Sequence, residues 1–310
     1  MTSSTLAPRL KEEGHRLGLV QVGIARPGPS EHGAFYRRWL ASGFAGGMEY
    51  LGREESVARR LEPTRSLPGG PLLERELGRR AGLGWFGRNT MLIHPRRGSY
   101  FFLGVLLTTV ELEPDPPFAA DRCGSCRACL DACPTGALLG RDEDGAPVMD
   151  ARLCISYLTI EHRGSIPEAL RPLMGNRVFG CDICQEVCPW NRRFGDRAEP
   201  DPEYAATVWP GDREGDPAVP SLDGPELVEL TERILVMSGK EYRRVFAASP
   251  LARPGRKGML RNLCVALGNY GAKSGEAGAR VRPVLERAAQ DRSELVREHA
   301  VWALGLVRSG

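Results

Sequence analysis

Eight of the nine cysteines in this chain fall into two short patterns, and these constrain the fold more than any other feature. The first is Cys123-Gly124-Ser125-Cys126-Arg127-Ala128-Cys129-Leu130-Asp131-Ala132-Cys133-Pro134, a C-x2-C-x2-C-x3-C-P run. Three closely spaced thiolates can wrap one [4Fe–4S] cluster, and the fourth, held by the following proline, ligates the other cluster of a two-cluster protein. The run therefore calls for a second half. It is present as Cys181-Asp182-Ile183-Cys184-Gln185-Glu186-Val187-Cys188-Pro189, with Cys154 upstream. Crossing the fourth ligands assigns Cys123, Cys126, Cys129 and Cys188 to cluster one. Cluster two takes Cys154, Cys181, Cys184 and Cys133. Zinc sites usually take Cys in pairs around a longer loop, and disulfides suit small secreted chains. No signal peptide is recognised at the start of this one. Cys264 lies in Leu263-Cys264-Val265-Ala266-Leu267 and reads as a small buried hydrophobe.

With 310 residues, two or three domains are expected, each burying its own core. Hydrophobic content is 42% and net charge +3, ordinary for a soluble protein. No apolar stretch approaches a membrane span, so no membrane association is expected. Thiolate-bound clusters point to a reducing cytoplasm. The slight positive balance says little about partners; where the arginines cluster matters more.

Residues 6–19 have helical apolar spacing, and residues 20–25 alternate as a strand does. A helix is expected around residues 36–40 and another over 72–83. Gly82, Gly84 and Gly87 surround Trp85-Phe86. They permit backbone to approach a flat ligand, but a plain glycine-rich turn is the better reading. Residues 100–110 read as a buried strand. The cluster region runs from about 114 to 197, and His162 within it reads as a surface histidine. Residues 198–220, rich in Pro, Gly and acid, read as a connector. Beyond Leu222 the pattern is helical throughout. Residues 261–268 and 296–305 both close on Ala-Leu-Gly, about one HEAT-type unit apart. Two units are few for a solenoid, so they should stack on neighbouring helices. Arg243, Arg244, Arg253, Arg256, Lys257 and Arg261 precede or open this region. Such a run is usually a solvated helix face; on a helical-repeat surface it can also track phosphates.

Several motifs together resemble the epoxyqueuosine reductases, cobalamin-dependent two-cluster enzymes that complete queuosine in tRNA. They are Gly82-Leu83-Gly84-Trp85-Phe86-Gly87-Arg88-Asn89-Thr90, the first Cys run, Cys154-Ile155-Ser156-Tyr157-Leu158, the second Cys run with Phe179, Gly180 and Trp190-Asn191, and residues 296–305. The resemblance covers nearly the whole chain. It implies an α+β fold in three domains: cobalamin-binding over residues 1–119, ferredoxin-like with two [4Fe–4S] clusters over 120–200, and HEAT-like and tRNA-binding over 201–310. It also implies reduction of epoxyqueuosine to queuosine at the wobble position, by cob(I)alamin fed through the clusters from an external low-potential electron donor. Arg60, Asn89, His94, Ser156, Cys181 and Asp182 match family positions around the corrin. Arg163, Arg256, Lys257 and Arg261 would meet the anticodon stem–loop, and a monomer is expected.

The chain departs from the family pattern at one place. Family members carry several dozen residues where Leu67-Pro68-Gly69-Gly70-Pro71 here joins two segments directly. That stretch carries core strands and ends in the Asp that donates the family's proton; its position falls at Pro68, so no catalytic residue is assigned. The chain is expected to be impaired in epoxide reduction on this account. Three functions stay open: the reductase itself, a relic that only carries electrons or binds tRNA, and a corrinoid iron–sulfur reductase of a small molecule. The repeat region argues against the last.

Overall fold

Two of the expected strands do not form. Residues 20–25 and 100–110 are neither strand nor helix. Leu106 is 91% exposed and Phe102 94%, in place of the burial expected for a core strand. The physical reason is pairing: a strand is stable only when neighbours satisfy its backbone and cover one face. Among the described residues, neither stretch has a neighbouring strand of that kind. In this computed structural model, residues 3–65, 70–194 and 224–307 are described. Pro68 and the expected connector 198–220 lie outside the described residues.

The chain condenses into two compact units. The first holds the described residues up to Asp150 together with those from Asp182 to 194; the second holds Ala151–Cys181 and residues 224–307. The stretch 120–200 is therefore shared between the two. The architecture is helix-rich, and among the described residues the only sheets are two antiparallel hairpins.

In the first unit, helix Ser3–Arg16 ends where Gly18 takes φ +88°, and helix Gly33–Ala41 follows. Tyr36 of that helix packs with Val57 and Leu61 of helix Glu54–Leu61. Helix Glu74–Arg80 leads into the hairpin of Trp85–Phe86 with Leu92–Ile93, in register Trp85 to Ile93. The local glycines serve this hairpin and its surroundings. A Cβ on Gly84 would stand 2.1 Å from the Ile93 carbonyl oxygen, and Gly82, at φ +74°, lies against Pro116. At both positions glycine permits a backbone-to-backbone approach that any side chain would block.

The second unit is built on helix Gly255–Gly271, which packs against Gly224–Leu235, Gly275–Ala288 and Glu294–Leu306. Leu260, Leu263, Cys264 and Leu267 are fully buried in its core, as expected for Cys264. The two Ala-Leu-Gly endings differ in use. A Cβ on Gly268 would meet Ala303 at 2.8 Å, so glycine lets these helices touch, whereas Gly305 faces open space. His299 is fully buried, its Nδ1 sharing a hydrogen bond with the Leu295 carbonyl and its Nε2 accepting from the Ile166 N–H. Burial first, and the nearby cations Arg171 and Arg261, push its pKa down to about 4. The ring is thus a neutral structural link.

Candidate functional site

The site grows from the hairpin and the second Cys run. Asn191 is 3% exposed; its Oδ1 accepts from the Ser99 N–H at 2.6 Å and its Nδ2 donates to the Gln185 carbonyl at 2.8 Å. Gly98, at φ +68°, leaves no room for a Cβ beside that side chain. Asn191 thereby fastens helix Pro189–Phe194, and with it Cys188, to the hairpin region. On the other side, Gly124 at φ +51° turns the chain so that the Cys126 N–H reaches the Cys123 carbonyl at 3.0 Å. Cys129 follows on helix Ala128–Ala132.

These devices bring Cys123, Cys126, Cys129 and Cys188 to the wall of one small cavity, shared with Arg88, Asn89, Ile93 and Trp190. This is the set that the crossing of ligands assigns to cluster one. Trp85, Ile93, Phe118 and Trp190 form an apolar backing, with the Trp85 and Trp190 rings 4.9 Å apart. Burial pushes the Cys129 thiol up to about 11, and the neighbouring Cys123 and Cys188 add to the rise. Burial also raises Cys188. Such thiols become thiolates when a metal centre supplies the compensating positive charge. Among the described residues, no three acidic, His or Cys side chains are grouped as for a single metal ion. A cubane cluster does not need that grouping, because each thiolate binds a different iron. Of the other set, Cys133 and Cys184 belong to the first unit, and Cys154 and Cys181 to the second.

A second cavity of the first unit, about 360 Å³, has Tyr36, Trp39, Phe86, Leu73 and Met149 in its apolar wall and Arg60 among its polar groups. Thr90 also lines it. This residue is held at φ +66°, a costly backbone for a β-branched side chain, and its Oγ1 is buried without a hydrogen-bond partner among the described residues. His32, Glu74, Arg75 and Glu76 also reach the chamber, so an apolar wall faces several polar groups, the pattern of a small-molecule pocket.

The other expected corrin-contacting residues do not gather there. Asn89 spends its side chain locally: Nδ2 donates to the Cys184 carbonyl at 3.1 Å, and Oδ1 accepts from the Met91 N–H. His94 is 7% exposed, and its Nδ1 accepts from the Arg96 N–H. Burial, then Arg97 and Arg96, lower its pKa, so it stays neutral. Asp182 accepts from Gln185 Nε2 at 2.7 Å. Ser156, in the second unit, accepts from the Cys181 N–H at 3.0 Å. Sequence reasoning gave no role to Thr90, the last residue of the glycine-rich motif, nor to Glu76, a 4% exposed carboxylate bonded to Ser30, the Glu31 N–H and His32. Their signals, a threonine in a hairpin turn and one of several glutamates, are too common to find from sequence.

The expected tRNA contacts need correction. Arg261 has no exposed surface, and its guanidinium donates to the carbonyls of Leu158, His162 and Gly164 and to Asn262 Oδ1. Arg256 is buried in an ion pair with Asp291 at 2.6 Å. Both are consumed inside the second unit, because each terminates a set of polar groups that would otherwise be buried unpaired. Lys257 and Arg163 are exposed. His162 is half-buried and shares a hydrogen bond with the Ser165 carbonyl, not the plain surface histidine expected.

Residues 122–191 match the family described as a 4Fe-4S double cluster binding domain. The class is therefore that of two-cluster iron–sulfur proteins. Over 371 aligned residues, the chain is 36% identical to the epoxyqueuosine reductase of Pseudomonas aeruginosa, covering 96% of this chain and 94% of that protein. It belongs to the epoxyqueuosine reductase family. The fold is similar to that of the Bacillus subtilis epoxyqueuosine reductase, with TM-score 0.68 and 22% identity over 99% of this chain and 100% of the other. It is also similar to an epoxyqueuosine reductase solved with a tRNA-Tyr epoxyqueuosine-modified stem loop, with TM-score 0.58 and 28% identity over 92% of this chain and 66% of that one.

Proposed function

We propose that this chain reduces epoxyqueuosine to queuosine in tRNA, with electrons delivered through two [4Fe–4S] clusters from an external low-potential donor. The observation that carries it is the four-cysteine cavity of the first unit, standing in a chain that belongs to the family along almost its whole length. The reaction removes the epoxide oxygen as water, at the cost of two electrons and two protons. Cobalamin would supply a strongly reducing metal centre for opening the epoxide. In the first unit, the orphaned Thr90 hydroxyl and the Arg60 guanidinium would take polar groups at its edge, beside the apolar wall of Tyr36, Trp39 and Phe86. Asn89 holds the hairpin turn that presents Thr90. The helices of residues 224–307 would act as a HEAT-like platform for the anticodon stem–loop, through exposed cations such as Arg243, Arg244 and Lys257, joined by Arg163 of the same unit.

Single-turnover reduction of epoxyqueuosine-containing tRNA tests this, using the anaerobic, cluster-loaded chain with added cobalamin and a chemical reductant. Queuosine should appear in the digested tRNA. Its absence from protein carrying both clusters and bound cobalamin would favour the relic. Changing Arg243, Arg244 and Lys257 together to Ala should weaken tRNA binding and flatten its salt slope, by roughly 0.7–0.9 per lost phosphate contact. An unchanged slope would assign these residues to an ordinary solvated face.

Iron content gives a further expected result. The reconstituted chain should hold about eight irons, and Cys188→Ser about four, since each cubane needs its full thiolate set. Eight irons in the variant would remove Cys188 from the ligand set.

A further inference from the structure

Two buried N–H donors stand beside the four-cysteine cavity without a partner among the described residues: Nε of Arg88 and Nε1 of Trp85. Arg88 lines the cavity itself. Its Nη2 is anchored to the Gly124 carbonyl at 2.7 Å, inside the Cys123–Cys126 turn, which fixes the guanidinium against the thiols. Trp85 is 2% exposed and packs in the same apolar group as Cys123 and Cys188. A buried donor left unpaired costs about 1–3 kcal/mol, so Arg88 Nε on the cavity wall and Trp85 Nε1 in the apolar group packed with Cys123 and Cys188 each call for an acceptor. The only chemistry the neighbouring thiols imply is a sulfur-rich, electron-rich cluster, whose sulfides and thiolates accept hydrogen bonds.

We propose that Arg88 and Trp85 donate their side-chain N–H groups to the sulfurs of the cluster held by Cys123, Cys126, Cys129 and Cys188, and thereby raise its reduction potential. This rests on the reading that these cysteines hold a cluster. One-electron reduction makes a cubane more negative, and both hydrogen bonds and the guanidinium charge favour that state over the oxidised one. Electrons entering the pair of clusters then collect at this one. Arg88 and Trp85 act as positioning and tuning residues; they carry no proton or electron themselves.

The test is an EPR-monitored redox titration of the anaerobic two-cluster chain, with the other cluster as internal reference. Arg88→Met removes donor and charge and should lower the reduction equilibrium constant of this cluster about tenfold, which is 59 mV for one electron. Trp85→Phe removes only an N–H and should lower it less. The other cluster's midpoint should not move. In protein labelled with 15N-arginine, the reduced cluster should show a 15N hyperfine coupling that Arg88→Met abolishes. Unmoved midpoints in both variants, with about eight irons retained, would overturn the proposal. If Arg88→Met loses this cluster, Trp85→Phe and the 15N coupling of the unaltered chain decide: no shift and no coupling also overturn it. Fewer than four irons in the unaltered chain would instead sink the cluster reading itself.

Discussion

Restoring a family-length segment between Leu67 and Pro71 is expected to raise the melting temperature by roughly 10 °C, tighten cobalamin binding and speed single-turnover reduction. The alignment with the Pseudomonas aeruginosa relative runs to 371 positions and spans 96% of the 310 residues of this chain, so about 73 of its positions fall opposite gaps in this chain. Phe102 and Leu106 are more than nine-tenths exposed, Val20 and Val110 about half, and residues 101–110 form no strand. Covering a large apolar side chain contributes about 1.5–3 kcal/mol. Two such side chains give about 3–6 kcal/mol, and a unit of this size gains roughly 2–4 °C per kcal/mol. Binding of a hydrophobic dye should fall in parallel, because the same surface is covered. The gain in rate has two sources that can be separated. A segment ending in the family's Asp should add about 10²–10⁴-fold over one ending in Asn if the lost proton donor limits this chain. Equal rates for the two would assign the gain to the pocket alone. An unchanged melting temperature and dye signal would show that the exposed segment is already stable as it stands.

Arg261→Met is expected to destabilise the second unit by about 4 kcal/mol, the order found when one member of a buried charged network is removed. All five guanidinium N–H groups are used: Nε and Nη2 on Asn262 Oδ1, Nη2 also on the Leu158 carbonyl, and Nη1 on those of His162 and Gly164. Asn262 in turn donates to the carbonyls of Thr159 and Val178. The guanidinium thus sits where helix Ile155–Ile160 ends and its last carbonyls need donors. Burial lowers the Arg261 pKa to about 10, with Arg163 contributing, so it remains charged at neutral pH. The methionine variant fills the space but orphans the carbonyls. Chemical denaturation should show an earlier midpoint, whereas Lys257→Met, at an exposed site on the same helix, should leave it within about 0.5 kcal/mol. Equal effects would mean that the hydrogen bonds of Arg261 contribute little.

Short-range chemistry was legible before any coordinates. The C-x2-C-x2-C-x3-C-P run and its partner predicted which four thiols gather in the first unit, because spacing sets three of them and the Cys-Pro ending of the other run marks the fourth. The burial of Cys264 followed from its apolar neighbours, and the helical character beyond residue 224 from its periodicity. The roles of individual polar groups were not legible. Arg256 and Arg261 looked like a cationic surface run, yet both lie inside, because a run of basic residues on a helix says nothing about which face meets its neighbours.

The sequence by itself determined the family and the pairing of the two cysteine runs. Each depends on residue identity and spacing along one chain. Only the tertiary structure decided that residues 20–25 and 100–110 form no strand, that Arg261 seals a helix end, and that Arg88 and Trp85 hold unpartnered donors near the thiols. Strand formation, burial of a charge and satisfaction of a donor are set by groups distant in sequence, and so they become visible only when the chain has brought those groups together or failed to.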